Sequence, residues 1–355
     1  MQQGHIYVTK KSELDAVISL IKKEKIVALD TEFTRRSTYY PVLSLVQVAV
    51  KNSEKSKKSF IIDCLSNLDL SDFFTAIADS KIVKILHSSA QDLQIFHQQS
   101  NLLPNQISDT QIMANFCGFG FNVGYSNLVE NIFAKKLDKG QQNSDWQRRP
   151  LHEKQIEYAL LDVEFLEELH QVFFKILDEK QRLSWYEEEM DNFIKKTLFI
   201  KDETLYKDFN FKHKSEIEIT HIKNLAILRD SWAKKINVPR RHLITNEEIE
   251  KIAVTKICDL NLNEKILEEI DKILSSDDIL YEKEKSFFMN EKQKGCYQEA
   301  KKLINNIAEK ENFKEQFLIK SDDLRMIICH QDYFDKLLFG WRKDLFGEQL
   351  KQIIY

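Results

Sequence analysis

Every segment of this chain that reads as β-strand lies before residue 87, and the chain beyond that point reads as helix. That asymmetry limits the fold more than any other feature. Residues 24–33, EKIVALDTEF, place a four-residue apolar run ahead of acidic residues, the pattern of a buried strand that ends at a site. LSLVQVAV over 43–50 alternates, and SFIIDC over 59–64 is a third short β-rich run; the polar KNSEKSKK between them has the composition of a hairpin loop. KIVKIL over 81–86 follows a helical stretch around 72–79, so it should run parallel to the first strand, which makes the sheet mixed and the domain α/β.

Helical patterns recur at 91–98, 110–117 and 126–133, then in a long run over 153–178 that is preceded by the polar loop LDKGQQNSDWQRRP, 137–150. Residues 198–214 are rich in Lys and aromatics without periodicity and read as a linker. Two small helical bundles joined near residue 280 fit the remainder, so the expected domains are 1–200, 201–280 and 281–355. With only 8 Gly and 4 Pro in 355 residues, a turn-rich β-sandwich and a low-complexity chain are both excluded. No apolar run approaches the ~18 residues of a membrane span. The polar start MQQGHIYVTKKSE lacks a signal-peptide core, so a cytoplasmic protein without membrane association is expected. Five scattered cysteines with no zinc-like spacing read as reduced thiols.

Asp30 and Glu32 lie two apart at the end of the first strand, so the strand period sends both carboxylates to one face. Alone, Asp-x-Glu carries almost no information. Asp92 follows HSSAQ directly after the strand parallel to the first, with Ser88 or Ser89 as N-cap, and so emerges at the edge where open α/β sheets bind ligands. Asp162 sits in IEYALLDVEFLEELHQVFF, a helix apolar on both faces, where an ionised carboxylate costs several kcal/mol unless a cation or a full set of donors compensates it. Tyr158 is one helical turn earlier and projects to the same place. Together these residues form a set of hard oxygen ligands suited to Mg²⁺ or Mn²⁺.

IVALDTEFTRRSTYYPVLSLVQV, ILHSSAQDLQIF, ISDTQIMANFCG, LDKGQQNSDWQRRPL and YALLDVEFL, in this order and spacing, resemble the ribonuclease D family of 3′→5′ exoribonucleases, which belongs to the four-carboxylate (DEDD) superfamily. The resemblance implies a ribonuclease H-like mixed five-stranded sheet with helices, and two divalent metal ions, Mg²⁺ or Mn²⁺, on Asp30, Glu32, Asp92 and Asp162. It places Tyr158 in the tyrosine subtype of the third motif, Tyr-x-x-x-Asp; the position used by the histidine subtype is Glu157 here. LRDSWAKKINVPRRHLITNEEIEKIA (228–253) is similar to the helicase-and-ribonuclease-D carboxy-terminal (HRDC) domain, and GWRKDLFGEQL (340–350) resembles the end of a second copy. The implied substrate is RNA with a single-stranded 3′ end, such as transfer-RNA precursors and small structured RNAs, cut to nucleoside 5′-monophosphates by a monomer.

Phosphodiester hydrolysis by two ions assigns Asp30 to both, Glu32 and Asp162 to the nucleophile side, Asp92 to the other, and Tyr158 to orienting the water. Phe33, Tyr39, Tyr40 and Phe96 flank the motifs and are candidates to stack terminal bases. Thr31, His87, Trp146 and Arg149 are further candidate substrate contacts, and Arg35, Arg36 and Arg148 are loop arginines that a phosphate would meet. Residues 195–241 hold 12 Lys/Arg against six acids in a chain whose net charge is −4, a candidate phosphate-tracking patch. A DNA exonuclease of the proofreading type and a non-catalytic RNA-binding protein are the rival readings.

Overall fold

The computed structural model describes residues 5–51, 56–103, 105–138, 140–199, 202–281 and 288–355. Residues 52–55 of the expected hairpin loop and Lys201 of the basic stretch lie outside the described residues. Strands β1 (His5–Val8), β2 (Ile26–Thr34), β3 (Val42–Lys51), β4 (Lys57–Asp63), β5 (Val83–Leu86) and β6 (Ile107–Asp109) form one sheet in the order β1-β4-β3-β2-β5-β6. β3 and β4 are antiparallel, whereas β5 runs parallel to β2 with Ile26 opposite Val83 and Ala28 opposite Ile85. The sheet is therefore mixed, as expected, but it has six strands where five were expected. β1 and β6 are four and three residues long, too short for alternation to register in the sequence.

Around the sheet lie α1 (Lys11–Glu24), α2 (Ser71–Ala78), α3 (Ala90–Ser100), α4 (Thr110–Cys117), α5 (Tyr125–Phe133), α6 (Glu153–Glu164), α7 (Leu166–Glu179) and α8 (Leu183–Leu198). The run expected as one helix over 153–178 is two helices, broken at Phe165. The cause is a side chain from another helix. The Tyr125 hydroxyl donates to the Leu161 carbonyl at 2.9 Å and accepts the Phe165 N–H at 2.9 Å, so it is spliced between two groups that an unbroken helix would join directly.

By compactness the chain forms two units. One is Met1–Phe33, Leu43–Leu198 and Phe287–Tyr355; the other is Thr34–Val42 and Phe199–Ser286. The last third of the sequence-based division thus shares a core with the sheet. Its helices are α13 (Glu291–Glu311), α14 (Glu315–Leu318), α15 (Ser321–Cys329), α16 (Phe334–Leu337) and α17 (Gly340–Ile354). Phe116 of α4 meets the rings of Phe317 and Trp341 at 4.8 and 5.2 Å, and Trp341 stacks on Trp185 of α8 at 5.4 Å. Gly340 has φ +57, and a Cβ there would stand 1.7 Å from a Glu188 carboxylate oxygen; the missing side chain lets that carboxylate accept the Trp341 N–H at 3.0 Å.

The second unit is built on α9 (Glu216–Lys235), α10 (Arg240–Leu243), α11 (Asn246–Thr255) and α12 (Glu264–Ser275). Ser215 with Glu218 and Thr245 with Glu248 form capping boxes that start α9 and α11. The stretch read as a linker is part of this core instead: Tyr206 and Phe209 are buried against Ile222, Leu225 and Trp232. Their anchoring contacts are tertiary, which explains the absence of periodicity. No helix among the described residues is long and apolar enough to cross a membrane.

Arg182 ties the C-terminal helices to the sheet unit. Its guanidinium donates to the Phe116 carbonyl at 2.7 Å and to the Glu311 carboxylate at 2.6 Å, and it lies over the Phe313 ring. Arg182→Met keeps the stem but strands a largely buried carboxylate, and should cost ~3 kcal/mol. Urea unfolding read by tryptophan fluorescence checks this; a loss under ~1 kcal/mol would show that the pair contributes little.

Candidate active site

β2 leaves the core with Val27, Ala28 and Leu29 buried, then presents Asp30 and Glu32 on one side and Thr31 between them. The parallel neighbour β5 leads into α3, whose first turn carries Asp92. α6 crosses with Tyr158 and Asp162 one turn apart. Carboxylate oxygens of Asp30, Glu32 and Asp162 lie within 4.8 Å of one another. Asp92 stands outside that trio but lines the same pocket of about 400 Å³ with Tyr158, and its carboxylate accepts a hydrogen bond from the Thr31 hydroxyl.

Burial and mutual repulsion work against ionisation here. Burial first, then the neighbouring Asp162, Asp92 and Glu32 charges, raises the Asp30 carboxyl well above its ordinary range. Burial and the Asp162 and Asp92 charges push Glu32 up to about 9. Burial takes Asp162 to about 7, against the lowering effect of the Tyr158 hydrogen bond, and Asp92 to about 6, against that of Thr31. The Tyr158 hydroxyl is itself raised by burial and by the surrounding acids. A cluster of crowded carboxylates with no cationic partner among the described residues is the donor set hard divalent cations take.

A second group of residues holds this geometry in place. Asp109, fully buried at the end of β6, accepts from the backbone N–H of Ser88, Ser89 and Gln111 and from the Ser89 hydroxyl, at 2.8–3.1 Å. It pins the turn from β5 into α3 and caps α4. Ser89 occupies the N-cap position of α3, one of the two residues expected there, but its hydroxyl is spent on Asp109 and makes no capping bond. Asp109 was legible as Asp-Thr-Gln before an apolar helix, an N-cap signal. Tyr125, which fixes the Asp162 end of α6, left no local signal.

The remaining sequence candidates divide sharply. Thr31, Phe33 and His87 line the pocket. Phe96 does not: it is 4% exposed and packs against Phe74 in the core. Trp146, 2% exposed, backs the Tyr158 ring at 6.0 Å, so it supports the site from behind and is no base platform. Arg149 is committed to Asp63 by two hydrogen bonds of 2.6 and 2.7 Å and to the Ser44 and Trp146 carbonyls. Tyr39 and Tyr40 belong to the second unit, where the Tyr39 hydroxyl donates to Asp230 and the Tyr40 N–H to Asn237. Gln91, Gln111, Ser126 and Gln142 line the pocket and were not singled out by sequence.

The profile of a 3′-5′ exonuclease family matches residues 5–178. Ribonuclease D of Jannaschia sp. is 32% identical over 269 residues, which span 75% of this chain and 70% of the relative. Ribonuclease D of Bartonella henselae is 27% identical over 369 residues, 98% of this chain and 89% of the relative. The fold is similar to that of Escherichia coli RNase D, described as an exoribonuclease involved in structured RNA processing. That structure has a TM-score of 0.83 and 23% identity, with 99% of this chain and 98% of that one covered.

The raised carboxyls set the pH dependence of the metal-free protein. Above an ordinary carboxylate pKa of ~4 the unfolded chain releases protons that the folded chain keeps, so these groups subtract stability as pH rises. The loss grows through the values of about 6, 7 and 9 at Asp92, Asp162 and Glu32. Asp162→Asn should therefore melt higher than the parent in EDTA, by a margin that widens between roughly pH 5 and 8, and should lose much of the stabilisation by Mn²⁺. A margin that stays flat across that range, with Mn²⁺ without effect on the parent, would show that the cluster is not a cation site.

Proposed function

The chain belongs to the ribonuclease D family, and on that premise we propose that its carboxylate pocket is a two-metal-ion centre that shortens RNA one nucleotide at a time from the 3′ end, releasing nucleoside 5′-monophosphates. Family membership makes it a 3′→5′ exoribonuclease. The observation that carries the proposed chemistry is the convergence of Asp30, Glu32 and Asp162, with oxygens within 4.8 Å, in a pocket that also holds Asp92. Asp30 would contact both ions, Glu32 and Asp162 the one on the nucleophile side, and Asp92 the other. Such ions, when bound, relieve charge at the phosphate and lower the pKa of a bound water towards ~7.

The chain's own groups orient and exclude. Tyr158 stays protonated because burial and the adjacent acids raise its hydroxyl, so its role is to hold the attacking water by a hydrogen bond and not to remove its proton. The buried Trp146 ring keeps Tyr158 in place from behind. Thr31 fixes the Asp92 carboxylate. Phe33, partly buried at the pocket wall, is the aromatic face offered to the terminal base, and stacking of that kind tolerates any sequence. Transfer-RNA precursors and other small structured RNAs with single-stranded 3′ ends are the proposed natural substrates, a reading supported by the structured-RNA role ascribed to the Escherichia coli neighbour.

Matched 5′-labelled RNA and DNA strands incubated with Mn²⁺ test this directly: a ladder of shortened RNA is expected, and a ladder from DNA alone would replace the proposal with a DNA exonuclease. Asp30→Asn removes one ligand charge and little volume, and should lower the rate by at least ~10²–10³-fold. Retention of more than about a tenth of the activity would remove Asp30 from the chemistry. Tyr158→Phe should slow single-turnover cleavage by about 10²-fold while keeping the Mn²⁺-dependent rise in melting temperature. A change of less than about twofold would make Tyr158 a packing residue.

A further inference from the structure

Gln47, in the middle of β3, is a polar side chain that the chemistry above does not use. It is 0% exposed, and neither its Oε1 nor its Nε2 has a hydrogen-bond partner. Among the described residues it is the one side chain left with two unpaired polar atoms. Buried amides of this kind are rare, because each unpaired end gives up its bonds to water and receives nothing in return. A Leu or Met would fill the same space in this apolar strand without that cost, so stability alone does not account for a glutamine.

The arrangement of the sheet shows which site the amide stands beside. β2 and β3 are neighbours joined by only seven residues, too few for a crossover, so they run antiparallel. Ala28 of β2 and Ala49 of β3 share a core with Ile85, Val163 and Leu166, so both face the same side of the sheet. Asp30 is two residues on from Ala28 and Gln47 two residues back from Ala49; on antiparallel strands these steps run in one direction, and each returns the side chain to the shared face. Gln47 therefore lies on the strand next to Asp30, on the face from which Asp30 and Glu32 project.

α6 roofs that face. Leu45 packs with its Ala159 and Leu160, Ala49 packs with its Val163, and Gln47 lies between Leu45 and Ala49 along β3. Asp162 belongs to the same stretch of α6. Across the other edge of β3, Gln47 is opposite Ile61 of β4, an apolar neighbour with no polar group to offer from its side chain. The carboxylates are thus the polar side chains that this face places around the amide.

The residue type suits such a place. A side-chain amide carries a donor and an acceptor and no charge. Its Nε2 can donate to an ionised carboxylate and its Oε1 can accept from a protonated one, so it serves an acid with or without a bound cation. A Lys or Arg would instead pair with the acids and take the oxygens that cations need. Carboxylates that ligate metals are commonly held by outer hydrogen bonds of this sort.

We propose that Gln47 is a positioning residue of the carboxylate centre, whose amide donates to the Asp30 carboxylate in the cation-bound protein and fixes its orientation. The inference rests on the reading of the pocket as a cation centre and is independent of which nucleic acid is cut.

Mn²⁺ binding tests it without RNA. Free Mn²⁺ is followed by electron paramagnetic resonance during titration of the full-length parent and of Gln47→Met, whose side chain has nearly the same size and no amide. Loss of an outer hydrogen bond to a ligand should weaken Mn²⁺ binding about tenfold or more, and should slow single-turnover cleavage of 5′-labelled RNA by a similar factor. In EDTA the same variant should melt about 2–4 °C above the parent, because the unpaired amide is gone. Weaker cation binding by a more stable protein is not what damaged packing produces. Gln47→Asn keeps a neutral amide but falls one methylene short, and should weaken Mn²⁺ to a comparable extent. Mn²⁺ affinity within about twofold of the parent in either variant would overturn the proposal and leave Gln47 as internal packing. Weaker binding by Gln47→Met together with a melting temperature below the parent's in EDTA would overturn it too, since damaged packing then explains both. A parent that binds Mn²⁺ yet shortens no RNA would overturn the ribonuclease chemistry and leave this inference standing.

Discussion

Repulsion among Asp30, Glu32, Asp92 and Asp162 is the constraint around which the sheet unit is arranged. No fold gains stability by gathering four carboxylates into one pocket: burial raises all four, and at Asp30 and Glu32 the neighbouring acids raise them further. Asp109 supplies the contrast. It is more deeply buried than any of them, yet donors from two helix starts and a hydroxyl surround it. A buried acid with a full set of donors is structural; a group of buried acids without one has the donor set that hard divalent cations take. The Tyr125 splice, the Asp109 cap and the Trp146 backing are the rigid supports that resist the repulsion.

These supports explain which parts were legible in the sequence. Asp30 and Glu32 were legible because a strand's period of two is local, and Asp162 because an acid between apolar neighbours on a helix is anomalous at short range. The parallel course of β5 followed from its helical crossover, and with it the position of Asp92. What failed was everything decided by a distant partner. Arg149 meets Asp63 across 86 positions and Tyr39 meets Asp230 across 191, so nothing near either residue told a phosphate contact from an internal tie, or a base platform from a clamp. The break at Phe165 was invisible for the same reason: both flanking segments are good helix, and the hydroxyl that parts them comes from Tyr125.

The organisation in space also departs from chain order in an instructive way. The helices after residue 290 were read as a free-standing bundle, yet Trp341, Phe317 and Phe313 close over Phe116, and Arg182 satisfies a carbonyl of α4 and the end of α13 together. Conversely, the segment Thr34–Val42, the seven residues between β2 and β3 with one residue of each strand, groups with the helices of the second unit. Segments are assigned to units by where their large side chains and charges are satisfied, and Tyr39 is satisfied by Asp230 and Arg240.

Charge segregation gives that arrangement a functional consequence. The carboxylate pocket bears the sign of a phosphate backbone, so before cations bind it contributes nothing to attracting a polyanion and works against it. A chain with a net charge of −4 offers no general attraction either. Among the described residues, cations gather in the second unit, where Arg35, Arg36, Lys207, Arg229, Arg240 and Arg241 line one groove with Asp208, and Arg240 is paired with Asp230. Keeping cations out of the acidic pocket also protects the chemistry. Arginines placed among the four carboxylates would form ion pairs with them, lower their proton affinity and occupy the oxygens that divalent cations need. The acids keep hydroxyl partners instead, Thr31 at Asp92 and Tyr158 at Asp162, which hold the carboxylates in place without cancelling their charge.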